Sequence, residues 1–103
     1  TKVAVLPLVK KDGLAEKAQE ISKQLKFAFN TTYDDGGAIG KRYTRQDLIG
    51  TPYCVVVDYQ TMEDQTVTVR DRNTMSQERI SIADLKEKLG YAVSMERIFE
   101  KLV

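Results

Sequence analysis

A chain of 103 residues, 42% hydrophobic and 30% charged, is one domain with material for a single modest core. Its net charge of +1 gives no overall attraction for nucleic acid, so such a partner has to be read from how the charges are distributed. The absence of histidine removes the usual general base, the commonest metal ligand and the physiological-pH switch together, and the single cysteine excludes an intrachain disulfide.

Residues 2–9, KVAVLPLV, are apolar on both faces and predict a central strand, weakened at its end by Pro7. Leu14, Ala18, Ile21, Leu25 and Ala28 then recur at steps of four, three, four and three, the stripe of an amphipathic helix with Asp12 placed to cap it. Phe27, Phe29 and Thr31 alternate and predict a second strand, broken by DDGG at 34–37. A short helix is expected from Ala38 to Leu48, stopped by Gly50 and Pro52. PYCVVVDY follows as a strand apolar on both faces, in which Cys54 reads as a small core residue of a reducing compartment.

QTMEDQ reads as a polar connection. In TVTVRDR, Val67, Val69 and Asp71 share one face of a strand, and Thr66, Thr68, Arg70 and Arg72 share the other. QERISI adds a last short strand, Ser81 and Asp84 resemble a capping box for the helix ADLKEKLG, and a final amphipathic turn or two carries Met95, Ile98, Phe99 and Leu102. The order is that of an α/β sandwich on a mixed sheet, without repeats or low-complexity linkers. No signal peptide, transit segment or 18-residue apolar stretch is present, so a soluble, cytoplasmic domain without a membrane partner is expected. The start at TKVAVLPLV, without an initiator Met, reads as a domain of a longer chain or as a chain whose Met was removed.

On a helical wheel of about 100° per residue, Ile39, Tyr43 and Gln46 turn toward the sheet, and Lys41, Arg42 and Arg45 fall on the opposite side. Three cations alone describe a solvated face. A second basic group changes the reading: Arg70 and Arg72 project from the alternating strand, and Arg79 follows the turn NTMSQ. If the hairpin lies beside the strand fed by the short helix, both groups bound one surface. Gln46, Asp71, Asn73, Thr74 and Gln77 accompany them. Arginine forks suit phosphates or a guanine edge, and amide and carboxylate groups suit base edges. Single-stranded RNA loops are read in this manner. Tyr53 and Tyr59 are candidate stacking partners, with core packing as the competing role. Catalysis finds little support. Asp34 and Asp35 lie in a glycine turn, Asp58, Glu63 and Asp64 lack the spacing of a calcium loop, and GGAIGKRY lacks that of a Walker loop. Neither a catalytic residue nor a metal site is expected.

The stretches IGKRYTRQDLIGTPY, VTVRDRNTM and QERI together closely resemble the C-terminal anticodon-binding domain of glycyl-tRNA synthetase, a class II aminoacyl-tRNA synthetase, and VAVLPLVKK resembles its first strand. The resemblance runs from about Val3 to Leu89, leaving 90–103 as a C-terminal helical extension. It implies a five-stranded mixed sheet flanked by about three helices, and a role in gripping the anticodon loop of glycine tRNA, whose last two anticodon bases are cytosines. It also implies that glycine activation with ATP and magnesium, and transfer to the tRNA, belong to a separate catalytic domain that this sequence lacks. The parent enzyme is then a homodimer through that catalytic part, and this domain alone a monomer without cofactors. By position, Lys41, Arg42 and Arg45 match the family's basic helix and would engage the loop backbone, while Arg70, Asp71 and Arg72 match its RDR strand end. Asp71 and Arg72 are expected to read bases. Gln46, Asp47, Asn73, Gln77 and Arg79 complete the expected RNA-binding set. Two departures stand out: Leu48 replaces an acidic residue of the family pattern Asp-Glu-Ile-Gly, and Asn73-Thr74 replaces a commoner Asp-Ser. The competing reading is a synthetase-like domain reused as a protein-interaction or accessory module, for which the basic clusters would be dispensable.

Overall fold

A computed structural model describes the backbone of residues 2–102 and the side chains of residues 2–95. The chain runs β1 (Val3–Pro7), α1 (Leu14–Lys26), β2 (Thr31–Tyr33), α2 (Ile39–Leu48), β3 (Tyr53–Val57), α3 (Tyr59–Asp64), β4 (Thr66–Asp71), β5 (Gln77–Ser81) and α4 (Ile82–Leu102). The strands form one mixed sheet in the order β2-β1-β3-β4-β5. β1 pairs in parallel with β2 and β3, and the β3–β4 and β4–β5 pairs are antiparallel.

β1 and β3 are buried along their whole length because they are central and covered on both faces. From β1 the chain steps outward through α1 to β2, then crosses back over β1 through α2 to β3. Crossovers of one hand in opposite directions place their helices on opposite faces of a sheet. Accordingly, Leu14, Ile21 and Leu25 of α1 and Leu85 and Leu89 of α4 pack with Val3, Val5, Val55, Val57 and Val67 on one face. On the other face Ala4, Leu6, Cys54 and Val56 lie under Ile39 and Tyr43 of α2. Burial pushes the Cys54 thiol up to about 11, so it remains an un-ionised core group at neutral pH.

The α1 stripe buries Leu14, Ala18, Ile21 and Leu25 as its spacing requires, each of the larger side chains contributing about 1.5–3 kcal/mol on burial. Its ends differ from expectation. Gly13 occupies the N-cap at φ 82, and Asp12 does not cap. The Asp12 carboxylate instead accepts the Tyr59 hydroxyl at 2.7 Å. Ala28 lies past the helix and is exposed, and Phe27 closes α1 at 90% exposure. β2 begins only at Thr31, because the helical stripe holds the chain as far as Lys26.

The expected connection QTMEDQ is α3, so four helices flank the sheet. The Asp58 carboxylate accepts the Thr61 backbone N–H, and the Thr61 hydroxyl accepts the Asp58 N–H, each at 3.1 Å. This reciprocal cap uses threonine where the common pattern has Glu or Gln. α4 is continuous through Gly90 and joins the helix expected at ADLKEKLG to the helical extension expected after it. Ser81 Oγ accepts the Asp84 N–H at 3.3 Å and donates to the Asp84 carboxylate at 2.9 Å. The stripe expected at Ile98, Phe99 and Leu102 lies outside the described side chains. Among the described residues, no helix is long and apolar enough to cross a membrane.

Candidate nucleic-acid interface

Strand register decides whether the two basic groups share a surface. Arg70 stands opposite Cys54 and Thr68 opposite Val56, the two β3 residues beneath α2. Gln77 in turn stands opposite Arg70, and Arg79 opposite Thr68. Cross-strand partners occupy one face, so Arg70, Gln77 and Arg79 lie on the α2 side of the sheet, beside the helix that carries Lys41 and Arg45. The expected convergence is present.

Three of the arginines are held by an aspartate each. Arg45 Nη1 donates to both oxygens of Asp34 at 2.5 and 2.6 Å. Arg70 reaches both oxygens of Asp47 at 3.3 Å, and its guanidinium carbon lies 4.8 Å from the centre of the Tyr43 ring. Arg79 grips Asp58 with both terminal nitrogens and donates to Thr66 Oγ1 at 2.9 Å. Surface pairs of this kind contribute at most about 1 kcal/mol each, so their main effect is to fix where the guanidinium groups point. Arg72 is different. Its Nε donates to the Asp47 carbonyl at 3.1 Å, at the negative end of α2, and no carboxylate holds it among the described residues. Lys41 is exposed and takes no partner among the described residues. Of the two basic groups, Lys41 and Arg72 are thus the exposed cations that no carboxylate neutralises among the described residues.

Asp34, expected to be only a turn residue, organises the β2–α2 junction. Besides Arg45 its carboxylate accepts the Gly36 N–H at 3.1 Å and the Gln46 amide at 2.8 Å, and Gln46 Oε1 accepts the Thr51 hydroxyl at 2.8 Å. No local signal announced this, because the partners lie a helix away in the chain. Burial pushes the Asp34 carboxyl up, but the hydrogen bonds from Arg45, Gly36 and Gln46 outweigh it and hold it below the ordinary carboxylate range. Asp58 is lowered likewise, burial being outweighed by Arg79 and the Thr61 N–H. The unfolded chain therefore binds these protons more tightly than the native fold does. Their stabilisation is complete above the unfolded value of about 3.9 and disappears as pH falls through the lower native values. Urea midpoints measured between about pH 2 and 7 should fall steeply below about pH 4, and the double variant Asp34→Asn/Asp58→Asn should show a flatter acid limb.

Arg42 departs from its expected placement, and the bonds made by Gln46 and Asp71 were not foreseen. Arg42, expected on the outer side of α2, is 3% exposed. It donates to the carbonyls of Pro7, Leu8 and Gly37, tying the end of β1 to the loop before α2. Arg42 stands one turn from both Ile39 and Gln46, at the edge of the inward side of α2, and its long stem carries the guanidinium beneath the helix. Gln46 faces the sheet, as its wheel position predicted, and is 2% exposed with its amide bonded to Asp34 and Thr51. Asp71 stands opposite Tyr53 on the α1 and α4 side of the sheet, and its Oδ1 accepts the N–H groups of Asn73 and Thr74 at 2.8 and 3.3 Å. The carboxylate expected to read cytosine thus folds the β4–β5 turn. Tyr53 is a core residue, while Tyr59 is half exposed on α3 with its hydroxyl on Asp12. The side chains of Asn73 and Gln77 are exposed, with no partner among the described residues.

The sequence profile of the anticodon binding domain family matches residues 2–90. A glycine–tRNA ligase of Treponema denticola is 60% identical over 87 residues, which are 84% of this chain and 19% of that protein. The glycine–tRNA ligase of Borrelia hermsii is 62% identical over 84 residues, or 82% and 19% of the two chains. That of Clostridium kluyveri is 56% identical over 86 residues, or 84% and 18%. The chain thus spans about a fifth of the length of the curated relatives it matches. Among solved structures, the RNA binding domain of threonyl-tRNA synthetase from Cryptosporidium parvum Iowa II superposes with a TM-score of 0.78 at 24% identity, over 87% of this chain and 23% of that one. This last likeness establishes the fold.

Proposed function

The chain belongs to the anticodon-binding domain family, and we propose that it grips the anticodon loop of glycine tRNA with the α2 face of its sheet. The carrying observation is that two basic groups far apart in sequence meet on that face with Lys41 and Arg72 left unneutralised. In this reading Lys41 and Arg72 engage loop phosphates, and Arg45, Arg70 and Arg79 present guanidinium edges fixed by their aspartates. The unpartnered amides of Asn73 and Gln77 read base edges. Arg42, Gln46, Asp47 and Asp71 hold these groups in place rather than touching RNA.

Glycine is favoured as the amino acid by the 56–62% identity to proteins named glycine–tRNA ligase. The ligase chemistry, with its ATP and magnesium, is assigned to a separate catalytic part of a longer, cytoplasmic, homodimeric protein, and this domain alone to a monomer. Among the described residues, no cluster of three or more acidic or cysteine side chains is placed to hold a metal ion.

The test is binding of the domain to a glycine-tRNA anticodon stem-loop, beside one with both cytosines changed, across a salt series. A preference for the native loop is expected, with log K falling by about 0.7 per decade of salt for each phosphate neutralised. Arg72→Ala should weaken binding roughly tenfold and reduce that slope by about 0.7. Equal affinity for the two loops would remove anticodon reading from this domain, and an absence of binding at low salt would end the RNA assignment.

A further inference from the structure

The C-terminal end of α2 carries two large apolar side chains that the fold leaves in the open. Leu48 is 82% exposed and Ile49 is 62% exposed, and neither belongs to a core cluster. Gly50 follows at φ 79 with open space around it, and Arg72 closes the helix end through the Asp47 carbonyl. Met75, in the β4–β5 turn, is also 61% exposed, its sulfur 3.6 Å from Arg70 Nη2. Met75 is held at φ 59, a conformation that costs a bulky residue energy and is retained where the surroundings impose it.

Single exposed aliphatic residues need no explanation. Two adjacent ones at a helix end, between cations of the proposed RNA face, do. Phosphate binding has no use for them, whereas a base turned out of its stack offers an apolar ring face that such side chains can cover. Leu48 also lies on the same side of α2 as Arg45 and Lys41, one and two helical turns earlier. Cations on both sides of the apolar lip suit an anionic occupant rather than a neutral protein surface.

Resting on the function proposed above, we infer that Leu48 and Ile49 form an apolar seat for one unstacked base of the bound loop, whose flanking phosphates meet Lys41 and Arg72. The seat offers no hydrogen-bond partner of its own. It therefore adds affinity without distinguishing one base from another, leaving discrimination to the amides and arginines beside it.

The experiment uses the stem-loop with a fluorescent base analogue, pyrrolocytosine for cytosine or 2-aminopurine for adenine, at each loop position in turn. For the wild-type domain, binding should change the fluorescence most at one position. In the double variant Leu48→Ser/Ile49→Ser that change should vanish and Kd should rise about tenfold, with the salt slope unaltered because no charge is removed. The replaced side chains are exposed, so matching thermal melts are expected. Leu48→Met should retain both the fluorescence change and the affinity. Wild-type affinity and fluorescence in the double variant would overturn the seat while leaving anticodon binding intact. Failure of the wild-type domain to bind any stem-loop would overturn both.

Discussion

Replacing Arg42 with methionine should lower the unfolding free energy by about 2–3 kcal/mol, the cost of leaving buried carbonyls without a charged donor. Methionine fills most of the volume, so the loss isolates the hydrogen bonds rather than a cavity. The carbonyls of Pro7 and Gly37 then lose their donor in a site where the arginine itself is 3% exposed. Part of the loss is offset, because Arg42 Nε is buried without a partner and is removed as well. In a domain of about 100 residues a change of this size moves Tm down by about 10–20 °C. Arg42→Lys should recover little, since an ammonium group cannot reproduce the fork that spans both carbonyls. Calorimetry or urea unfolding checks the prediction. An Arg42→Met domain as stable as wild type, but poorer at holding RNA, would return Arg42 to the binding surface.

The second large effect concerns the floor beneath α2. Leu6 is fully buried and is the largest of the four buried side chains on that face of the sheet, beside Ala4, Cys54 and Val56. Leu6→Ala should cost about 2–5 kcal/mol through lost burial and a cavity. Because Ile39 and Tyr43 rest on this small cluster, the damage should also reach function, since Tyr43 underlies Arg70 and α2 carries Lys41 and Arg45. The matched control is Leu89→Ala, a comparable truncation on the opposite face against α1 and α4. Both variants should lose similar stability in urea titrations. Stem-loop affinity, measured well below both melting points, should fall several-fold further for Leu6→Ala. Equal affinities would show that α2 keeps its seat without that leucine.

Much of the fold is legible in the residues themselves. The unbroken apolar runs at 3–6 and 53–57 declare central strands, and the α1 stripe and the alternation of β4 each name their element and its inward face. What escapes reading is settled by contacts distant in the chain. Arg42 reads as solvent-facing when it is grouped by charge with Lys41 and Arg45, although it stands one turn from Ile39 and Gln46, whose side of α2 meets the sheet. Asp34 looks like an ordinary turn acid until α2 folds back to bring Arg45 and Gln46 onto it. The helix α3 is hidden by its shortness and polarity, although Asp58 and Thr61 at i and i+3 carried a capping signal. Of the site, the two basic groups and their common face were visible; the aspartates beside Arg45, Arg70 and Arg79 were not. The part Asp71 plays in the following turn is hidden too, because its position in RDR suggests display, whereas the turn needs an acceptor for its N–H groups.

The pairing of Arg45, Arg70 and Arg79 with Asp34, Asp47 and Asp58 bears on how fast a partner arrives. Each pair turns a cation into a dipole, and a dipole's field fades with distance far sooner than that of a lone charge. Beyond a Debye length of about 8 Å at physiological salt, little remains of it to guide a diffusing polyanion. Encounter should then proceed nearer the unsteered 10⁵–10⁶ M⁻¹s⁻¹ than the 10⁸–10⁹ M⁻¹s⁻¹ of guided association. Such a face sacrifices speed of capture. In exchange it keeps its guanidinium groups aimed before contact, so that less order is lost when a fitting loop docks, and discrimination resides in how long the complex lasts.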